Sequence, residues 1–393
     1  MDMKRMLITH AHTLTMTQRT LLDHDILVQD GKIVEIGPQL TALDAQIVDL
    51  DGAFIMPGLF NCHVHTCSSA SNDSSREHGE AEAVATIRTI KNLEKFNQSG
   101  VTFVRDAGGK QWADIHVRDA VKRGVFDGPE MQVAGKVIAM TGGTCWHRAR
   151  ECDGPDEVRK GTREQIKAGA DWIKIMATGG VSTPGVHPNS CQFSEGEIRA
   201  AVEEAHKAGK KAFAHAQGTM GILNALRAGI DSIEHGCFLT QECVEFMAQN
   251  GVYYTPTLTA LYVMHDEGVK RGLPQQAQDK ANEVMERNLQ SFRMAMQAGV
   301  KIVSGSDAGS PLNTHEKAAW EPYYMVQSGM DAYQALQCAT TMAAQMCGVE
   351  DQLGTIEVGK RACFAVFDKN PIEDMEAIRH CKMTIKDGKR IFG

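Results

Sequence analysis

The sequence predicts an α/β protein in which a (β/α)8 TIM-type barrel carries a small β-sandwich built from both chain termini. Two observations indicate this architecture. Helices alternate with short apolar strands through the middle of the chain, and both ends are β-rich with Asp-Gly turns. Alternation of this kind, with nearly continuous apolar strands, favours a buried parallel sheet. We expect the barrel over residues 57–349 and the sandwich over residues 1–56 and 350–393.

The sequences of the two chain ends predict short strands joined by tight turns. An apolar run at residues 26–28 is followed by Asp30-Gly31, and a run at residues 383–386 is followed by Asp387-Gly388. Asp-Gly pairs are typical of two-residue turns between neighbouring strands. Neither end is long enough for a core of its own, so we expect the two ends to pair with each other.

In the middle of the chain, several helical stretches stop at a glycine and a strand follows at once. Glycine suits the left-handed position that ends a helix. The strands that this rhythm predicts are residues 59–65, 101–106, 131–137, 171–176, 212–215, 230–235, 252–256 and 300–307. Eight such units favour a barrel. The alternative is an open doubly wound sheet, but no Gly-rich dinucleotide loop follows the first strand.

The composition narrows the choice of partners. Lys and Arg total 41 against 49 Asp and Glu, a net charge of −8 without a basic run, so nucleic acid is not an expected partner. No apolar run approaches the ~20 residues that span a bilayer, and the first residues lack a secretory signature. The 11 cysteines are scattered without a CxxC pair, as in reduced proteins. We therefore expect a cytoplasmic protein, a small-molecule substrate, no membrane partner and a homo-oligomer.

The first predicted barrel strand ends in His63-Val64-His65. Residues two apart in an extended strand face the same side, so both imidazoles point towards one place beyond the strand. A pair of imidazoles in this arrangement is suited to binding a metal ion. Cys62 alternates with the two histidines and so points away from them.

Further polar residues fall where other predicted strands end: Lys174, His215, His235 and Asp307. Each has an ordinary structural explanation, since a strand-end histidine often packs and Asp307 could cap a turn. Barrel active sites lie at that end of the strands, however, so the set predicts a metal site. Four imidazoles and a carboxylate are more than one open tetrahedral ion needs. We expect two divalent metal ions, zinc by default, with Mn, Co or Fe as alternatives.

Lys174 is the unusual member of this set. An ammonium between Ile173 and Ile175 is costly to bury and is repelled by metal cations. Two solutions are open. The amine could be neutral and act as a Schiff-base nucleophile, or it could be converted to an anion, such as a carbamate, that bridges two metals.

Taken together, these motifs resemble the metal-dependent amidohydrolase superfamily. The resemblance rests on Met56-Pro57-Gly58-Leu59, His63-Val64-His65, Lys174, His215, Ile233-Glu234-His235-Gly236 and residues 304–309, and it covers nearly the whole chain. It implies that His63 and His65 bind one metal, that His215 and His235 bind the other, and that a carboxylated Lys174 bridges them. It also implies that Asp307 contacts the first metal and transfers the proton while a metal-activated hydroxide cleaves a C–N amide bond.

Within that superfamily, residues 177–181 and the position of Lys174 look most like the branch of Xaa-Pro and other carboxypeptidase-like dipeptidases and imidazolonepropionase-related proteins. Thr144 stands where those peptidases have His, and Phe238 stands where a polar residue such as Tyr is expected. The residues that we expect to contact substrate instead are His147, Arg148, His187 and Tyr262. Arg148 is suited to a bidentate pair with a carboxylate.

The leading interpretation is therefore hydrolysis of a dipeptide or an N-acyl amino acid. The first alternative is a non-peptide amide, urea, carbamate or cyclic amide. A Schiff-base lyase that uses Lys174 would need no metal, and the clustered histidines argue against it. A non-catalytic scaffold is the remaining alternative, although every ligand position is filled.

Overall fold

The computed structural model describes residues 5–181, 186–273 and 275–393. Within them, the strands are β1 (Arg5–Thr9), β2 (His12–Thr13), β3 (Leu22–Asp23), β4 (Asp25–Gln29), β5 (Lys32–Gly37), β6 (Gln46–Asp49), β7 (Phe54–Pro57), β8 (Leu59–Val64), β9 (Val101–Asp106), β10 (Glu130–Gln132), β11 (Ile138–Ala139), β12 (Arg150–Glu151), β13 (Trp172–Met176), β14 (Lys211–Ala216), β15 (Ser232–His235), β16 (Tyr253–Thr255), β17 (Lys301–Ile302), β18 (Phe364–Phe367), β19 (Cys381–Lys386) and β20 (Lys389–Phe392).

The α-helices follow the strands of the central part and continue beyond β17. They are α1 (Glu82–Gln98), α2 (Ala113–Lys122), α3 (Gly154–Ala168), α4 (Glu195–Lys207), α5 (Thr219–Arg227), α6 (Gln241–Asn250), α7 (Leu258–Glu267), α8 (Gln275–Gln297), α9 (Glu321–Gln327), α10 (Ala332–Cys338) and α11 (Thr341–Cys347). Short 3-10 helices lie at Ser74–Glu77, Trp146–Arg148, Val269–Arg271, His315–Lys317 and Met375–Arg379. A search of the described helices finds none with the length and apolar character to cross a membrane.

The predicted alternation of helix, glycine and strand is present. Helix α3 ends at Gly169 with φ +101°, and helix α6 ends at Gly251 with φ +68°, so each glycine adopts the left-handed conformation that closes the helix. Helix α4 begins with a capping box, in which the Ser194 hydroxyl accepts the Glu197 N–H and the Glu197 carboxylate accepts the Ser194 N–H. These local signals fix where the helices stop and the strands begin.

The central strands form two parallel ladders. One has the order β10-β9-β8, and the other has the order β12-β11-β13-β14-β15-β16-β17. Buried apolar residues of these strands and of the helices around them form the main core. The α/β class and the buried parallel sheet predicted from the sequence are confirmed.

Individual backbone hydrogen bonds connect the two ladders. The N–H of Cys62 donates to Ser304 O, and the N–H of Asp307 donates to His63 O, each at 2.8 Å. At the other side, the N–H of Asp171 donates to Val133 O at 2.8 Å. Among the described residues the ladders themselves do not close into a ring, so the complete barrel remains a prediction.

The third predicted strand, 131–137, is wrong over most of its length, because β10 ends at Gln132 and β11 begins only at Ile138. Strand β10 pairs with β9, whereas β11 pairs with β13. Gly135 lies between them with φ +66° and donates its N–H to the buried carboxylate of Asp114 at 2.8 Å. This left-handed turn interrupts the strand, and an apolar run in the sequence does not reveal it.

Two further sheets come from the chain ends. One has the order β5-β4-β1-β6, and the other, β20-β19-β18-β7-β2-β3, combines strands from both termini. Apolar side chains of both sheets, among them Ile8, Ile26, Ile55, Phe364 and Ile385, share one buried cluster. The termini therefore meet, while the division into domains at residues 56 and 350 stays a prediction.

Candidate active site

A cavity of about 470 Å³ lies at the carboxyl ends of the parallel strands. All six residues predicted to surround the metals contribute to its wall: His63, His65, Lys174, His215, His235 and Asp307. They come from β8 and the residue that follows it, from β13, β14 and β15, and from the segment after β17, which are far apart in sequence. The parallel arrangement brings them together because the strands end at the same edge.

His63, His65 and Asp307 form the tightest group. One ligand atom from each lies within 4.8 Å of the others. Asp307 Oδ1 is 3.3 Å from His65 Nε2 and 3.6 Å from His63 Nε2. Two imidazoles and a carboxylate at this spacing suit a divalent transition metal ion.

Hydrogen bonding fixes which nitrogen of His63 faces the cavity. Its Nδ1 lies 2.6 Å from Oε2 of Glu234, and an ionised carboxylate can only accept. Nδ1 therefore carries the proton. Nε2 is buried without a hydrogen-bond partner and faces Asp307 with its lone pair. An orphaned buried nitrogen of this kind fits a metal ligand.

His235 is oriented in a similar way. Its Nδ1 lies 2.8 Å from Oγ1 of Thr257, and that hydroxyl donates its own proton to Pro256 O at 2.8 Å. Thr257 can then only accept from His235, so Nδ1 is protonated and the lone pair is on Nε2. His215 has the opposite arrangement, because its Nε2 donates to Gly179 O at 2.9 Å and leaves the lone pair on Nδ1. The ring centroids of His215 and His235 are 4.5 Å apart.

Burial keeps these imidazoles neutral. It lowers the pKa of His63 and His235 well below the usual value and that of His215 to about 4, and the charge of Lys174 lowers all three further. Burial also lowers the pKa of His65, and the charge of Arg148 adds to this effect. A neutral imidazole is the form that binds a metal.

Asp307 is an ionised carboxylate despite its position. Burial on its own raises the pKa of this group, but the hydrogen bond from His65 and the positive charge of Lys174 act against burial, and the pKa is lowered. The backbone of Asp307 is left-handed, with φ +56°, and so are those of His235 (+70°) and Thr257 (+53°). Such conformations are uncommon outside glycine and cluster at functional sites.

Lys174 reaches the same cavity from β13. It is 1% exposed, its Nζ has no hydrogen-bond partner, and the ammonium lies 4.7 Å from the ring centroid of Phe213. Burial lowers its pKa to about 8, partly opposed by the negative charge of Glu234. Lys174 therefore loses its proton more readily than an ordinary lysine. The Schiff-base nucleophile and the carbamate both require this neutral amine.

Behind His63 lies a buried ion pair that was not predicted from the sequence. Arg105 Nη2 donates to Oε1 of Glu234 at 2.8 Å, and both side chains are fully buried. The guanidinium contacts the rings of both Trp172 and Phe213, with distances of 4.7 and 4.2 Å to the centroids. A signal was present, since Arg105 and Glu234 are opposite charges inside apolar strands and buried charges need partners.

The residues predicted to contact substrate are not all brought together. His147 and Arg148 line the cavity. Among the residues that the structure describes, Arg148 Nε is buried without a partner, and Nη2 contacts Cys145 Sγ at 3.6 Å. His187 is exposed and accepts the N–H of Asn189. Tyr262 stacks on Tyr324 with ring centroids 4.4 Å apart. Neither His187 nor Tyr262 is among the described residues of the cavity wall.

The cavity wall holds one compact group of candidate metal ligands, and further nitrogen donors line the same cavity. The available donors are the lone pairs of His63, His215 and His235, the imidazole of His65, the Asp307 carboxylate and the unpartnered Nζ of Lys174. Nitrogen and oxygen donors of this kind suit zinc and its neighbours among the divalent transition metals. The residues present therefore fit the metals that the sequence predicts.

Comparison with known proteins gives consistent results. The sequence model of the amidohydrolase family matches residues 54–391. Ochratoxinase from Aspergillus niger is 28% identical over 372 residues, which cover 86% of this chain and 76% of that protein. Similar solved structures include two that are each 31% identical. A Xaa-Pro dipeptidase with bound methionine has a TM-score of 0.90 and coverage of 99% and 100%, and a prolidase complexed with N-methylphosphonate-L-proline has 0.89 with 98% and 99%.

Proposed function

This chain belongs to the amidohydrolase family, and on that premise we propose that it is a metal-dependent hydrolase that cleaves the C–N amide bond of a dipeptide or an N-acyl amino acid. The observation that carries the proposal is the convergence of four imidazoles, Lys174 and Asp307 on one cavity. The similar prolidase and Xaa-Pro dipeptidase structures support the choice of an amide next to a carboxylate.

We assign two divalent metal ions, zinc by default, to this cavity. His63, His65 and Asp307 would hold one ion, and His215 and His235 would hold the other. The chemistry that such ions supply when bound is a lowered pKa of coordinated water and polarisation of the substrate carbonyl. The orphaned Nε2 of His63 and the fixed tautomers of His215 and His235 support this assignment.

Asp307 is assigned the proton transfer. Its carboxylate is ionised, since its pKa is lowered, and it lies within 3.6 Å of both His63 and His65. It can therefore accept a proton from the attacking water and deliver it to the leaving nitrogen. Water is divided across the amide, with OH on the carbonyl carbon and H on the nitrogen, to give an acid and an amine.

Lys174 is assigned as a carboxylated bridging ligand. Its neutral amine would add CO2 and release a proton, which replaces a buried cation with an anion between the two ligand pairs. The unpartnered Nζ and its lowered pKa support this choice. The anion would also remove the repulsion between an ammonium and two metal ions.

Arg148 is assigned to the substrate carboxylate, with His147 beside it. The guanidinium lines the cavity, and within the described residues its buried Nε has no hydrogen-bond partner while Nη2 contacts Cys145 Sγ. An unpaired guanidinium in a largely buried wall is suited to a bidentate carboxylate contact. It would supply the anchor that Thr144 and Phe238 lack.

For the architecture, we propose that the two ladders close into one barrel over residues 57–349, with the terminal sheets as a second domain. The hydrogen bonds from Cys62 to Ser304 and from Asp307 to His63 support closure. Assembly into a homo-oligomer stays a prediction.

Metal content and mass test the proposal first. Protein purified without chelators should contain close to two metal ions per protomer, and its native mass should include the ~44 Da of a lysine carbamate. Removing the metals should abolish hydrolysis, and zinc should restore it. Metal-free protein whose Lys174 is trapped on its substrate by borohydride would overturn the proposal in favour of a Schiff-base enzyme.

Carboxylate dependence tests the substrate assignment. An N-acyl amino acid should react faster than the same compound with its carboxylate converted to an amide, and Arg148→Met should remove most of that difference. Equal rates on both compounds would exclude the peptidase-like substrate and favour a non-peptide amide, urea, carbamate or cyclic amide.

A further inference from the structure

The residue that precedes helix α7 does not cap it. Thr257 occupies the N-cap position in a left-handed conformation, with φ +53°, and its side chain makes no capping hydrogen bond. A threonine at this position usually accepts the N–H of the second or third helical residue. The Thr257 hydroxyl is committed elsewhere, because it donates to Pro256 O and accepts from His235 Nδ1, each at 2.8 Å.

Glu321, the first residue of α9, supplies the acceptors that α7 needs. Its Oε1 accepts the N–H of Leu258 at 2.7 Å, and its Oε2 accepts both the N–H and the hydroxyl of Thr259, at 2.8 and 2.6 Å. Leu258 and Thr259 are the first two residues of α7, and N–H groups at the start of a helix have no partner within it. The carboxylate therefore caps α7 from a position that is 62 and 63 residues away in sequence.

This way of capping differs from that of other helices in the chain. Helices α4, α6 and α10 are each capped by the side chain of their own N-cap residue, which is Ser194, Thr240 and Asp331 respectively. Glu321 is instead fully buried. Burial raises the pKa of its carboxyl to about 7, and the hydrogen bonds from α7 oppose that shift. The contrast indicates that the hydroxyl of Thr257 is required for another contact.

Without Glu321, that contact and the start of the helix would compete for one oxygen. Leu258 and Thr259 are at most 1% exposed, so their N–H groups would be left buried without an acceptor. The hydroxyl of the N-cap residue is the acceptor that helices ordinarily use at this point. If the Thr257 hydroxyl turned to cap α7, His235 Nδ1 would lose the acceptor that fixes its proton.

From this arrangement we infer that Glu321 is a positioning residue for His235. It caps α7 in place of Thr257, and this leaves the Thr257 hydroxyl to accept the Nδ1 proton of His235. Glu321 is not among the described residues of the cavity wall, so it acts on the site through α7 and Thr257. The inference rests on the proposed function, in which Nε2 of His235 holds a metal ion, and it adds the residue that keeps this nitrogen unprotonated.

A double-mutant cycle with Thr257 tests the inference. Competition with a chelator, starting from the zinc-loaded full chain, measures the dissociation constant of each zinc equivalent. Glu321→Gln leaves one acceptor oxygen for three donors and should weaken one equivalent by about tenfold or more. Thr257→Val should weaken the same equivalent by about tenfold or more on its own, but by less than about twofold when Glu321→Gln is already present, because the hydroxyl that it removes no longer serves His235. Equal factors in both backgrounds would show that the two residues act independently and would overturn the inference.

The tautomer of His235 gives a readout that does not depend on the metals. Nitrogen NMR of isotopically labelled histidine distinguishes a protonated from an unprotonated ring nitrogen in the metal-free full chain, whose fold is checked by circular dichroism. The spectrum of His235→Gln identifies the signals. Nδ1 should be protonated in the unchanged protein, and Glu321→Gln should move part of the proton population to Nε2.

Ser194→Ala is the matched control, since it removes the cap of α4 at an exposed residue outside the described cavity wall. It should lower the melting temperature and leave both zinc constants and the His235 tautomer unchanged. If Glu321→Gln does not fold, Glu321→Asp takes its place in the cycle. The shorter carboxylate should weaken the same zinc equivalent by a smaller factor and reduce the effect of Thr257→Val, and a full effect of Thr257→Val in that background would overturn the inference.

The outcomes separate the inference from the proposed function. Unchanged zinc constants together with an unchanged His235 tautomer in Glu321→Gln would overturn the inference and leave the amide hydrolase intact. Protein that binds no metal ion and hydrolyses no amide would overturn the proposed function, and with it the role of His235 Nε2 that the inference serves. The tautomer would then still show whether Glu321 fixes the proton of His235.

Discussion

His63 Nδ1 lies 2.6 Å from Oε2 of Glu234, and the other carboxylate oxygen of Glu234 accepts from Arg105 at 2.8 Å. All three side chains are at most 1% exposed. The carboxylate therefore orients a candidate metal ligand and neutralises a buried guanidinium at the same time. Removing its charge should affect both the metal site and the stability of the fold.

Glu234→Gln should lower the free energy of unfolding by about 3–5 kcal/mol, because Arg105 is left buried without its counter-ion. It should also lower metal affinity about 10- to 100-fold, since a neutral amide has one acceptor oxygen and cannot accept from both His63 and Arg105. Chemical denaturation and metal titration measure the two effects. Glu164→Gln removes a partly exposed partner of Arg150 and should cost less than about 1 kcal/mol. Equal losses of unfolding free energy in Glu234→Gln and Glu164→Gln would contradict the role assigned to the buried Glu234–Arg105 pair.

Asp307→Asn should leave metal content nearly intact but lower kcat by about 10²- to 10⁴-fold, because an amide cannot accept and return the proton. Elemental analysis and steady-state kinetics on the same preparation measure the two quantities. Turnover close to that of the unchanged enzyme would remove Asp307 from the proton transfer.

Thr257 controls the tautomer of His235, so the hydroxyl group of Thr257 should affect metal binding more than the shape of its side chain does. Thr257→Val keeps the size and removes the acceptor for Nδ1–H, and we expect about 10- to 100-fold weaker binding of one metal equivalent. Thr257→Ser keeps the acceptor and should bind both equivalents. The prediction fails if the valine and serine variants give the same metal titration.

Gly305 lies where the segment after β17 approaches β8. A Cβ at this position would lie 2.4 Å from Thr255 Cγ2, 2.8 Å from His63 Cβ and 2.9 Å from His63 N. Gly305→Ala should therefore lower the free energy of unfolding by about 1–3 kcal/mol and displace His63. Gly196→Ala in α4 meets nothing within 4 Å and should be neutral or stabilise by up to about 1 kcal/mol. Thermal unfolding of both variants checks this contrast.

Stability at low pH should depend on Glu204. A hydrogen bond from Arg163, supported by bonds from Arg159 and Lys207, lowers the pKa of this carboxyl to about 2. The folded value lies below the ordinary value of about 4.3. The stabilisation is therefore fully present above that ordinary value and is lost as the pH falls through the folded pKa.

Glu204→Gln should accordingly lower the free energy of unfolding by about 1–2 kcal/mol at neutral pH, a modest figure because Arg163 and Lys207 are largely exposed. The difference from the unchanged protein should shrink as the pH falls below about 4.3. Urea denaturation across this range measures it. Glu203→Gln, at an exposed partner of Arg159, is the matched control and should have a smaller effect. A difference that grows towards acid would contradict the assigned sign.

Local patterns in the sequence determined the fold class, the family and the set of residues that share the cavity. The helix–glycine–strand rhythm predicted the α/β class, because glycine ends a helix through a conformation that its neighbours rarely adopt. The strand-end positions of His63, His65, Lys174, His215, His235 and Asp307 predicted that they share one cavity, because parallel strands end at one edge. The amidohydrolase motifs indicated the family, and the comparisons confirm it.

The tertiary structure decided what depends on contacts between distant residues. It paired Glu234 with Arg105 and His63 across 129 and 171 residues of sequence, and it fixed the proton positions of three imidazoles. It ended the third predicted strand at Gln132, ahead of the left-handed turn at Gly135, and it stacked Tyr262 on Tyr324, outside the described cavity wall. Local sequence sets backbone preference and the alternation of faces, whereas the partner of a buried polar atom is set by which distant strand lies opposite to it.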